Sequence, residues 1–165
     1  MDQVIGFGGG CHWCTEAVFQ SLRGVTIVEQ GFIGADPPED ALSEAVRLHF
    51  DPAQIPLPVL IEIHLRTHAS ASDHSMRGKY RSAVYTLGAI QRQDAERALA
   101  AFEEETGTAP VTRILRLRRF RLSPPRYRDY YRSRPDAPFC RTHIDPKLGK
   151  LRRTYAAFLR PEAEG

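Results

Sequence analysis

Residues 3–22, QVIGFGGGCHWCTEAVFQSL, constrain the fold more than any other stretch of the chain. A short apolar run reads as a strand over 3–8, three consecutive glycines demand a sharp turn, and helical spacing follows from residue 11. Cys14, Val18 and Leu22 fall on one stripe with Ala17, while Glu16, Gln20 and Arg23 face away, and Gly24 is a natural stop. A strand that feeds a helix through so tight a turn needs a sheet with helices packed on it.

The rest of the chain repeats that alternation. Strands are predicted over 25–33, 43–51 and 80–87, and an arginine-rich one over 111–120. Helices are predicted over 56–69 and 91–106, with a short one inside the proline-framed 123–138 and a basic helical segment after Cys140. The pattern implies an α/β or two-layer α+β fold with a mixed central sheet flanked by helices. At 165 residues, without repeats or a linker, the reading is one domain over 1–165, with a tail and terminal helix from about 134.

The longest apolar runs are too short to cross a bilayer. The first ten residues lack a basic start and an apolar core, and three cysteines do not make a disulfide framework, so a cytoplasmic setting is expected. Seven arginines lie between Arg113 and Arg128. They can form the solvated face of a strand or a surface for anions or nucleic acid, but no aromatic-rich binding motif accompanies them, so nucleic acid is the weaker reading.

Cys11 sits between the glycines and the helix start. The glycines leave its approach open, and unpaired N–H groups at a helix N-terminus favour a thiolate, so Cys11 is a candidate nucleophile. A small buried residue in a tight turn fits the same pattern. Cys14, on the apolar stripe, is either a core filler or a resolving thiol one turn from Cys11. Zinc would need a second ligand pair beyond Cys11, His12 and Cys14; His64 and His68 have no cysteine near them in sequence, so no metal is expected. GFGGGC also fails as a dinucleotide fingerprint.

Six stretches carry a family resemblance. GGGCHWCTEAVFQSLRGV (8–25) resembles the Gly-Cys-Phe-Trp-Gly segment and following helix of the type A peptide methionine sulfoxide reductases. QGFIG (30–34), SEAVRLHFDP (43–52), LIEIHLRTH (60–68), GKYRSAVY (78–85) and the C-terminal DYYRSRPDAPFCRTHIDPKLGKLR (129–152) are similar to further family motifs in the same order. The resemblance implies reduction of methionine S-sulfoxide, free or in peptides, with Cys11 as nucleophile and Glu44 as the acid for the sulfoxide oxygen. It implies Tyr80 as a hydrogen-bond donor to that oxygen and Trp13 as a wall of the methyl pocket. It also implies a resolving thiol, Cys140 on a tail able to swing in or the nearer Cys14, recycling by a thioredoxin-type dithiol, and no cofactor.

The chain departs from the family pattern at several positions. Phe32 replaces a tyrosine that binds the sulfoxide oxygen, which would cost roughly 1–3 kcal/mol of hydrogen bonding. His12 replaces a phenylalanine of the methyl pocket, Tyr127 stands for a histidine, and the 69–79 loop is short, with Ser75 or Asp73 near the place of an aspartate. Two alternatives follow: the same reactive cysteine acting on another small oxidised sulfur compound, or an idle binding protein using the basic face.

Overall fold

The computed structural model describes residues 2–68 and 80–163. Six strands, β1 (Gln3–Gly8), β2 (Val25–Gly34), β3 (Ser43–Phe50), β4 (Ala83–Thr86), β5 (Arg113–Arg116) and β6 (Arg119–Leu122), form one mixed sheet in the order β5-β4-β1-β3-β2-β6. Every pairing is antiparallel except β4 with β5, which are joined through a helix as a parallel pair requires. The helices are α1 (His12–Gln20), α2 (Leu57–Thr67), α3 (Ala89–Thr106), the single turn α4 (Tyr130–Ser133) and α5 (Asp145–Thr154). Among the described residues no helix is long and apolar enough to cross a membrane.

Strand alternation sorts the side chains onto two faces. Ile5 and Phe7 of β1, Val46, Leu48 and Phe50 of β3, and Val84 of β4 turn to one face, where Val18, Phe19, Leu60, Ile61, Leu148 and Leu151 from the helices cover them. The other face carries a smaller cluster, Ile33, Ala35, Ala45, Ala83 and Tyr85, closed by Leu115, Leu117 and Phe120. Helices on one face, with side chains of the curled edge strands and the turn between them closing the other, make the two-layer α+β arrangement that the sequence implies.

The arginine-rich segment differs from its prediction. One strand is expected over 111–120, and two form, at opposite edges of the sheet. The break is Leu117–Arg118, whose N–H groups bond Thr86 O at 3.0 Å and Gly34 O at 3.0 Å. The ends of β4 and β2 are thereby brought to consecutive residues, so the sheet curls strongly about β1 and β3. Arginine and apolar residues are mixed on both sides of the break, and no glycine or proline falls at it; its only mark is the adjacent pair Arg118–Arg119.

Two further boundaries shift. The strand expected from Tyr80 begins only at Ala83, because the Arg81 N–H is taken by Ser43 Oγ (2.9 Å) and its buried guanidinium by Tyr85 Oη (3.0 Å) and the carbonyls of Ile33 (2.9 Å) and Ala41 (3.0 Å). The segment at Cys140 is ordered structure: a π-helix over Cys140–Ile144 runs directly into α5.

Candidate active site

Gly9 and Gly10 hold φ of +138° and +129°, a region L side chains rarely adopt, and a Cβ on Gly9 would strike the His68 ring. This turn delivers Cys11 to the N-cap of α1, where its carbonyl accepts from the N–H of Cys14 (3.1 Å) and Thr15 (3.3 Å). The Cys11 thiol is pulled below the ordinary thiol range, first by a hydrogen bond from the Cys14 thiol and then by the N–H groups of Trp13 and Cys14; burial and the nearby Glu44 oppose the shift without cancelling it. Cys14, by giving its hydrogen to Cys11 and lying buried, is pushed far up.

One cavity of about 660 Å³ gathers Cys11, His12, Trp13, Phe32, Glu44 and Tyr80. Residues from three strands and a helix meet there because Glu44 pairs across the sheet with Phe32, which places both on the face covered by α1. His12 is buried and bridges the sheet. Its Nδ1 lies 3.0 Å from the Gly31 carbonyl, an acceptor only, so Nδ1 carries a hydrogen, and Nε2 stands 3.3 Å from Glu44 Oε1. Nε2 and Oε1 can hydrogen-bond only with one proton between them. The His12 backbone N–H also donates to Oε1 at 3.3 Å.

The opposite wall is aromatic. Trp13 stacks on Tyr130 with centroids 4.0 Å apart and planes 5° from parallel, meets Phe139 edge-on at 5.4 Å, and donates Nε1–H to Tyr127 O at 3.1 Å. Its support is a residue the sequence reading turns toward solvent. Glu16 is only 1% exposed, and accepts from Gln30 Nε2 (3.0 Å) and from the N–H groups of Asp129 (2.9 Å) and Tyr130 (3.3 Å). Burial raises its carboxyl, with those three hydrogen bonds acting against the rise. The outward face of α1 is covered by a segment more than a hundred positions away, which helical spacing alone does not disclose.

Behind Cys11 lies a second, smaller space of about 50 Å³ lined by Cys14, Thr67, His64, His68 and Lys147. Lys147 donates to the Thr67 carbonyl; burial lowers its ammonium, and the two thiols act to raise it. Cys14 is buried as its stripe predicts, with Sγ 4.0 Å from the His143 carbonyl. Cys140 departs from the expected swinging tail: it is 0% exposed inside the π-helix, its thiol donating to Arg134 O at 3.1 Å. Burial raises this thiol as well. Phe139 and Ile144 anchor the segment to the core, which is why it does not behave as a loop. All three cysteines are free.

Ser75 and Asp73 lie outside the described residues. Among the described residues no group of three or more His, Cys, Asp or Glu is placed to hold a metal ion. The reading missed Arg121, Leu122, Ser123 and Pro124, which complete the main cavity together with Tyr127. No short motif marks them, since β6 reaches the site only through the curl of the sheet.

Comparison with known proteins gives consistent matches. The family described as "Peptide methionine sulfoxide reductase" matches residues 3–158. A peptide methionine sulfoxide reductase of Deinococcus radiodurans is 36% identical, over 96% of this chain and 84% of its own. Among solved structures, Mxr1 from Saccharomyces cerevisiae in reduced form superposes with a TM-score of 0.74 at 18% identity, covering 86% of this chain and 91% of that one. Mxr1 in complex with Trx2 superposes at 0.61 and 16% identity, covering 74% and 81%.

Proposed function

Since the chain belongs to the peptide methionine sulfoxide reductase family, we propose that it reduces methionine S-sulfoxide to methionine through Cys11. The observation that carries this reading is the meeting of a thiol held below its ordinary range with the one-proton His12–Glu44 pair in one cavity. The Cys11 thiolate attacks the sulfoxide sulfur, and the oxygen takes the proton from Glu44. As the thioether leaves, the oxygen passes to Cys11 as a sulfenic acid, so the substrate gains two electrons and the cysteine loses them. Tyr80, on the cavity wall, is assigned a hydrogen bond to the sulfoxide oxygen, and Trp13 the S-methyl wall. Phe32 cannot donate to that oxygen, and His12 holds Glu44 in place.

The sulfenic acid then requires a second thiol. Cys14 is the first resolving thiol in this reading, because it lies one turn along α1 and lines the same small space as Cys11. Its sulfur displaces the hydroxyl, giving a Cys11–Cys14 disulfide and water. Cys140 lies in the helical run that Cys14 faces, and in this reading receives the disulfide in a second exchange once its helix loosens. A thioredoxin-type dithiol closes the cycle, taking up the oxidation as its own disulfide. Turnover of blocked S- and R-epimers with dithiothreitol tests the assignment: product from the S epimer alone supports it, and product from neither overturns it.

A further inference from the structure

Four of the seven arginines between 113 and 128 are engaged by one acidic loop. Arg113 pairs with Glu39, Arg116 and Arg118 with Asp36 at 3.9 and 3.2 Å, and Arg119 donates to the Asp40 carbonyl at 2.9 Å. Arg121 is different. It has no acidic partner among the described residues, and its guanidinium lies 5.0 Å over the Phe32 ring at the edge of the Cys11 cavity.

Its placement is fixed by the sheet. Glu44 on β3 pairs directly with Phe32 on β2, and Phe32 pairs directly with Arg121 on β6. Directly opposed residues share a face, so acid, ring and cation form one row across three strands. Two strand spacings separate the outer members by roughly 10 Å at Cα. A guanidinium held over a ring face by its carbon can still offer N–H groups at its edge, a fork that fits a carboxylate by two parallel bonds.

In methionine sulfoxide the sulfur and the α-carboxylate carbon are four bonds apart, about 5 Å end to end in an extended zigzag of ~1.5 Å bonds. One small molecule can therefore place its sulfoxide oxygen at Glu44 and its carboxylate at Arg121. We infer that Arg121 is an anion subsite of this cavity, selecting sulfoxides that carry a carboxylate a few bonds from the sulfur. The inference rests on the reductase reading and adds a substrate class to it. Phe32 acts here as the platform of the guanidinium, a task its ring performs without a hydroxyl. The carboxylate can belong to a free or C-terminal methionine sulfoxide, or to an acidic residue beside it in a peptide.

The test compares three S-sulfoxide probes under dithiothreitol: N-acetylmethionine sulfoxide, its neutral N-methylamide, and an end-blocked peptide with aspartate next to the sulfoxide. We expect kcat/KM for the acid about tenfold above that for the amide, carried mainly by KM. Arg121→Gln removes the ratio while the amide is still reduced, and Arg121→Lys, a cation without the fork, restores part of it. A matching preference for the aspartate peptide assigns acidic peptides to the subsite as well; preference for the α-carboxylate alone assigns free or C-terminal residues. Acid and amide reduced alike, or a ratio unchanged in Arg121→Gln, overturns the subsite while leaving the reductase reading intact. If no probe is reduced, the reductase reading fails. The subsite is then read from quenching of Trp13, the chain's only tryptophan, by N-acetylmethionine and its N-methylamide. Equal affinity overturns it, and tighter binding of the acid, lost in Arg121→Gln, sustains it.

Discussion

His12 Nε2 lies 3.3 Å from Glu44 Oε1 while His12 Nδ1 is committed to the Gly31 carbonyl at 3.0 Å. This commitment leaves the Nε2–Oε1 contact able to hold one proton, which the proposed reaction passes to the sulfoxide oxygen. Glutamine at position 44 can donate an amide hydrogen to the same nitrogen and preserve the shape while having no proton to give. We expect Glu44→Gln to slow single-turnover methionine formation by about 10²–10⁴-fold, typical for loss of a general acid. The alkylation rate of Cys11 should be at least that of wild type, since the opposing charge of Glu44 is gone, separating loss of the acid from loss of the nucleophile.

The Cys14 thiol is the leading cause of the lowered Cys11 range, and the two obvious replacements of Cys14 divide its roles. Cys11 is held below the ordinary thiol range, so its thiolate fraction, and with it the iodoacetamide rate, persists to lower pH than for a free thiol. Cys14→Ala deletes the leading cause and moves the alkylation profile to higher pH. Cys14→Ser keeps an O–H donor and holds the profile near wild type. Neither variant forms the disulfide with Cys11, so the sulfenic acid should persist for dimedone capture in both.

Lys147 stands in the small space behind the two thiols, a half-buried cation whose anionic neighbour there is the Cys11 thiolate. Lys147→Met should therefore slow disulfide formation after the sulfenic acid appears, with the pH profile of that step moved upward. Methionine release, measured in the same quench-flow experiment, should change less. Equal slowing of both steps would reduce Lys147 to a packing role.

Glu16 ties α1 to the chain at Asp129 and Tyr130. Glu16→Ala leaves two part-buried backbone N–H groups without their acceptor, a loss of about 1 kcal/mol or more in total. A lowered Tm should be joined by red-shifted, more quenchable Trp13 fluorescence, because the Tyr130 ring stacked on Trp13 is positioned by the same carboxylate.

The sequence disclosed most where its signals were local. The Gly9–Gly10 turn, the apolar stripe through Cys14 and Val18, and the alternation in β3 each follow from a few neighbouring residues, and the structure agrees with all three. Of the candidate site residues, Cys11, His12, Trp13, Phe32, Glu44 and Tyr80 line one cavity. Cys140 and Glu16 were misread for one reason: their burial is imposed by segments distant in sequence, which neither spacing nor composition reports. Arg121 looks like its neighbours in an arginine-rich run, and only the curl that sends β5 and β6 to opposite edges sets it apart.

The most direct measurement is a single turnover by pre-reduced protein, without added reductant, on the S epimer of a blocked methionine sulfoxide. Methionine would be quantified and the cysteines mapped by mass spectrometry. We expect one methionine per chain, a Cys11–Cys14 disulfide with Cys140 still reduced at early times, and no product from Cys11→Ser or from the R epimer. Product formed by Cys11→Ser, or none formed by wild type while Cys11 remains readily alkylated, would remove Cys11 from the role of nucleophile toward this substrate.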